Sequence, residues 1–91
     1  MAHTIRRKAK LLTRVRRIRG QIDAVERALE TDARCAELLH LIASLRGAMN
    51  GLMGEVLEDH IRLHMADVAL DRDRRGEGAD EVIDVVHTYL K

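Results

Sequence analysis

Three side chains in this sequence combine ligand chemistry with telling spacing: Cys35, His60 and His64. Residues four apart on a helix lie one turn apart on one face, so His60 and His64 can offer two imidazoles to a single ion. Cys35 adds a thiolate, but far upstream. The stretch between them has no proline and reads as one long helix through Leu38, Ile42, Leu45, Met49, Leu52 and Val56. At ~1.5 Å per residue this helix is roughly 43 Å long. Cys35 therefore cannot share an ion with the histidines of its own helix. A second chain, with its helix antiparallel, would bring its Cys35 beside them, and such a site would report on quaternary structure. Each residue alone has a plainer reading. A lone cysteine on an apolar face is usually a packing residue, and surface histidine pairs are common. His40 and His87 fit no spacing with the others.

The second chemical feature is cationic. Residues 1–20 hold eight basic groups (Arg6, Arg7, Lys8, Lys10, Arg14, Arg16, Arg17, Arg19) and no acid. The remainder holds eight basic and fifteen acidic residues, so the net charge of +1 hides a basic arm on an acidic body. Arg7, Lys10, Arg14 and Arg17 recur every three or four residues, a stripe able to meet phosphates at successive points of a duplex. An ordinary solvated face would mix signs. Tyr89 is the single aromatic residue, leaving no rings on which unpaired bases could stack. No helix-turn-helix signature is evident either. Duplex recognition would rest on phosphates, a few arginine contacts and DNA shape.

The elements that must position these groups are helical. Ninety-one residues make one small domain, 1–91, whose modest core favours self-association. Abundant Ala, Leu, Arg and Glu without proline predict an all-α fold: two long antiparallel helices and a short C-terminal one. Helix one opens at Thr4, with an apolar seam at Leu11, Val15, Ile18, Ile22, Val25 and Leu29, and Gly20 marks a close approach. Glu30, Thr31 and Asp32 form a short connection, and Thr31 and Asp32 are the start signal of helix two, from about Ala33 to about Met65. Its seam is 38, 42, 45, 49, 52, 56. A second apolar line, Leu39, Leu41, Ala48, Met53, Leu57 and Ile61, predicts a subunit interface. Gly47, Gly51 and Gly54 suit closely crossing backbones, and Asn50 could fix pairing register. Asp71–Asp80 reads as a mobile loop. Asp80 then caps helix three, Glu81–Leu90, with Val82, Val85, Val86 and Tyr89 inward. No apolar run approaches a membrane span and no signal peptide is evident, so a cytoplasmic location without membrane partners is expected. With one cysteine there is no intrachain disulfide. No paired carboxylates or base–nucleophile arrangement stands out, so neither an enzyme nor a catalytic residue is expected.

Several segments carry a family resemblance over nearly the whole chain: LLTRVRRIRGQIDAVERAL at 11–29, Cys35, RGAMNGLMGEVLEDHI at 46–61 and the terminal HTYLK. The chain resembles the CsoR/RcnR family of all-helical metal-sensing repressors. The resemblance places sensor residues at Cys35, His60 and His64. Copper-sensing members typically carry a second cysteine where this chain has His64. The nickel- and cobalt-sensing branch has histidine there and begins Met-x-His-Thr-Ile-Arg, as this chain does from Met1 to Arg6, which adds His3 to the set. Three imidazoles and one thiolate suit Ni(II), Co(II) or Zn(II) better than Cu(I). Ala2 is small enough for Met1 to be removed, and the freed amine could complete a five- or six-coordinate site favouring Co(II) or Ni(II), with Zn(II) still able to bind.

What the resemblance implies is a homotetramer, a dimer of dimers, whose apo form binds operator DNA. Arg14, Arg16 and Arg17 would be the main contacts, with Lys10, Arg7, Arg46 and Lys91 in support. Metal would draw His3 and the amino terminus toward the sensor, loosen the basic arm and derepress an efflux gene. A formaldehyde-responsive branch of the family uses the same cysteine, cross-linked to the amino terminus. Its members typically carry proline at position 2 and usually lack histidine at the place of His64, so Ala2 and His64 both depart from it. A third reading is a helical assembly protein without a ligand.

Overall fold

The computed structural model describes residues 4–89, with side chains from Arg7 onward, so Ala2, His3 and Lys91 lie outside the described residues. Three helices follow one another: α1 (Thr4–Glu30), α2 (Cys35–His64) and α3 (Arg72–Tyr89), and no strand occurs among the described residues.

The α1–α2 connection works differently from its sequence reading. The Ala33 amide donates to the Ala28 carbonyl at 2.9 Å and the Asp32 amide to that of Leu29 at 3.3 Å. This pair of bonds closes a helix C-terminus, with the residue between in the left-handed region. Here that residue is Asp32, at φ 52°, a conformation Asp tolerates because its short polar side chain can bond locally. The Thr31 hydroxyl adds a 2.8 Å bond to the Arg27 carbonyl. Thr31 and Asp32 thus end α1 rather than start α2. The first bond of α2 runs from the Leu38 amide to the Arg34 carbonyl, 3.1 Å, which puts Arg34 at the cap position.

Two compact units share α2, one reaching to Gly54 and one starting at Glu55. In the first, α1 lies antiparallel on the start of α2. Gln21 Nε2 donates to Ser44 Oγ at 3.1 Å. Seven residues back on α1 and seven forward on α2, the Arg14 guanidinium covers Gly51, where a Cβ would come within 2.8 Å of it. The facing residues are Leu11, Arg14, Ile18, Gln21, Val25 and Ala28 on α1, and Leu38, Leu41, Leu45, Ala48 and Leu52 on α2. Half of each expected seam is correct. Val15, Ile22 and Leu29 on α1, and Ile42, Met49 and Val56 on α2, are instead exposed. The glycines do not mark close crossings within this unit. Nothing stands within 4 Å of a Cβ built at Gly20, Gly47 or Gly54.

In the second unit α3 is longer than expected. Asp71 Oδ1 accepts from the Arg74 amide at 2.8 Å and the Asp71 carbonyl from the Arg75 amide at 3.1 Å, so Asp71 is the N-cap. The segment read as a mobile loop is therefore the first half of α3, and Asp80 lies mid-helix. Glycine costs a helix only about 1 kcal/mol relative to alanine, which one good cap offsets. Gly78, Ala79, Val82 and Val85 lie inward, whereas Val86 and Tyr89 are exposed.

Among the described residues the one buried apolar side chain is Ile18, 6 % exposed. By contrast Leu29 is 60 % and Leu39 61 % exposed. At 3.6 residues per turn, Cys35, Leu39, Ile42, Met49 and Met53 all fall within about 40° of one line along the first unit's part of α2. Apolar surface of this extent marks an interaction face.

Two outcomes are expected. Asp71→Ala lowers stability by about 1 kcal/mol through loss of the α3 cap, measured by urea unfolding. Met53→Glu, a charge at the centre of the exposed α2 face, weakens self-association at least tenfold in sedimentation equilibrium. An unchanged assembly would mean that this face is not an interface.

Candidate metal centre

Cys35 is the first residue of α2, exposed and not disulfide-bonded. His64 is the last residue of α2 and exposed; His60, one turn earlier, is half-buried. Their ring centroids are 4.8 Å apart with planes inclined at 40°. Both rings can therefore reach one ion at the ~2.0–2.1 Å of a metal–imidazole bond after small rotations. Two imidazoles alone fall short of a metal site. Among the described residues no group of three or more His, Cys, Asp or Glu side chains could hold an ion.

The two histidines are held differently. His60 Nε2 lies 2.9 Å from the Gly78 carbonyl oxygen and 4.0 Å from Glu81 Oε2, both on α3. Asp59, immediately before it, is 8 % exposed and not without a partner. Gly78, Glu81 and Asp59 escaped the sequence reading. The local pattern puts the first two in a loop and at the start of a helix, and nothing in it marks Asp59 as buried. Nothing local singles out Gly78 either, since Gly20, Gly47, Gly54 and Gly76 are also helical and a Cβ at each meets nothing within 4 Å.

The cationic residues of α1 are placed as follows. Arg7, Lys8, Lys10, Arg16, Arg17 and Arg19 are exposed. Arg14 is half-buried over Gly51, within the α1–α2 seam, and Arg7 and Arg14 each have a partner. Arg46 is exposed and shares the α2 face of Cys35 and Met53. No described helix is long and apolar enough to cross a membrane.

Known proteins match this chain along its length. The sequence model of the family described as metal-sensitive transcriptional repressor covers residues 7–88. An uncharacterised protein from the bioA 5′ region of Serratia marcescens is 46 % identical over 91 residues, all of both chains. The transcriptional repressor RcnR of Salmonella paratyphi B is 42 % identical over 91 residues, again all of both chains. Among solved structures, a variant of the formaldehyde-responsive regulator FrmR from Salmonella enterica serovar Typhimurium is 42 % identical. It superposes with a TM-score of 0.88 over 96 % of this chain and 98 % of that one. The chain belongs to the CsoR/RcnR family of metal-sensitive transcriptional repressors.

Proposed function

We propose that this repressor responds to Ni(II) or Co(II), with Zn(II) able to bind, through a site shared between two copies: His60 and His64 from one, Cys35 from the other. The observation that carries the reading is the face of α2. The thiol lies at one end and the two imidazoles at the other, with exposed Leu39, Ile42, Met49, Met53 and Val56 between them. Two such faces packed antiparallel cover each other's apolar residues and bring unlike ends together. That pairing is isologous, each copy completing the other's site. Repeated through the remaining exposed residues of α1, it gives a homotetramer.

The donor set fits the metals. Thiolate and imidazole are borderline-soft ligands suited to Ni(II), Co(II) and Zn(II). His3 and the amine of Ala2 raise the ligand count toward the five or six that favour Ni(II) and Co(II). Without metal, the exposed cations of α1 hold double-stranded operator DNA, chiefly through Arg16 and Arg17, with Arg7, Lys10 and Lys91 in support. Arg14 instead lies over Gly51 in the α1–α2 seam, and Arg46 on the α2 face that a second copy would cover. Residues Ala2 and His3 precede that helix directly, so drawing them to the sensor repositions its first turns and weakens phosphate contacts. By linkage, DNA lowers metal affinity by the factor by which metal lowers DNA affinity. The regulated gene would be an efflux function in the cytoplasm's defence against metal.

A formaldehyde response is the second reading, supported by the FrmR likeness, as close in identity as that to RcnR. What favours the metal in this chain is the imidazole pair of His60 and His64, with ring centroids 4.8 Å apart.

One titration separates the readings. Binding to the chain's own promoter is measured with Ni(II), Co(II), Zn(II), Cu(I) and formaldehyde. Release by Ni(II) or Co(II) alone is expected, and release by formaldehyde alone would overturn the metal reading. Co(II) should give thiolate-to-metal charge-transfer absorption that Cys35→Ala abolishes. Removing Arg16 and Arg17 together should flatten the salt dependence of DNA binding by about two slope units.

A further inference from the structure

Gly78 is the buried residue of α3, and a glycine inside a helix is destabilising by roughly 0.5–1 kcal/mol unless something requires it. What requires it is the end of α2. A Cβ at Gly78 would collide with the His64 carbonyl oxygen, and would lie 2.8 Å from its carbonyl carbon and 2.9 Å from the His64 Cβ. The carbonyls of a helix's last turn find no amide within the helix, so the His64 carbonyl points outward, toward α3. The close seating this permits brings the Gly78 carbonyl to 2.9 Å from His60 Nε2. A carbonyl oxygen only accepts, so Nε2 must carry the proton and donate it. The neutral ring then has its lone pair on Nδ1. Glu81 Oε2, 4.0 Å from the same Nε2, is a second acceptor on that side and favours the same tautomer.

We infer that Gly78 is a positioning residue for the sensor: its missing side chain seats α3 on α2, and its carbonyl holds the His60 ring as the Nε2–H tautomer in the metal-free protein. The inference rests on the metal reading above only for its consequence, since the tautomer is a property of the metal-free protein. Gly76 is a built-in control. It lies on the same helix two residues earlier, and a Cβ there meets nothing within 4 Å. Alanine at 76 removes a helix glycine harmlessly, whereas alanine at 78 must push α3 off the His64 backbone.

The test is nitrogen-15 NMR of the histidine side chains in the metal-free protein, followed by Co(II) titration. Wild type and Gly76→Ala should both show His60 protonated at Nε2 and bind Co(II) equally. Gly78→Ala should lose that single tautomer and bind Co(II) about 10–100-fold more weakly, the usual scale for losing a ligand's supporting hydrogen bond. An Nδ1–H tautomer in the wild type overturns the inference, as does a Gly78→Ala protein with tautomer and affinity unchanged. Should Gly78→Ala not fold, the wild-type and Gly76→Ala spectra still decide the tautomer. A correct tautomer in a protein that binds no Co(II) upholds the positioning of His60 and defeats the metal reading instead.

Discussion

An α-helix does not fold back on itself, and that rigidity is the constraint on which this repressor depends. Cys35 opens α2 and His64 closes it, with every intervening residue helical. A thiol and an imidazole pair so separated are useless to each other within one chain. The same helix carries between them a face of exposed leucine, isoleucine, methionine and valine. Burying apolar surface is the dominant favourable term in association. A surface of this kind would therefore draw two helices together, and the ligands at its ends would meet as a consequence. In the proposed reading, assembly and sensing share one physical origin.

The helix pattern was legible because apolar spacing reports a period, and the period was right. Leu11, Ile18 and Val25 on α1 face Leu38, Leu45 and Leu52 on α2, as read. The period does not say on which flank of that line the partner lies. Arg14, Gln21 and Ala28 take the inward places expected for Val15, Ile22 and Leu29, with Gln21 bonded to Ser44 and the Arg14 guanidinium over Gly51. The apolar residues so displaced turn outward. Composition could not reveal this, since a seam buried by a neighbouring helix and one buried by another copy look alike in sequence.

The start of α3 was illegible for a different reason. Two glycines among charges look like a loop, and Asp80 looks like a cap. Asp71 is the cap in fact, and Gly78 is a contact residue whose neighbour comes from another helix. Such a contact has no local signature. Of the candidate ligands, spacing alone makes the closeness of His60 and His64 legible, because residues four apart share a helix face, and their rings do lie 4.8 Å apart. The residues that hold His60, on α3, were not legible.

Whether ligands from separate copies form one site can be read directly by complementation. Cys35→Ala chains and chains carrying both His60→Ala and His64→Ala are unfolded together, mixed in equal amounts and refolded. Each variant alone should give no thiolate–Co(II) charge-transfer band. Mixed dimers hold one intact site of two, so random pairing predicts a band of about a quarter of the wild-type intensity. A mixture with no band, from chains shown to have exchanged, would contradict the shared site.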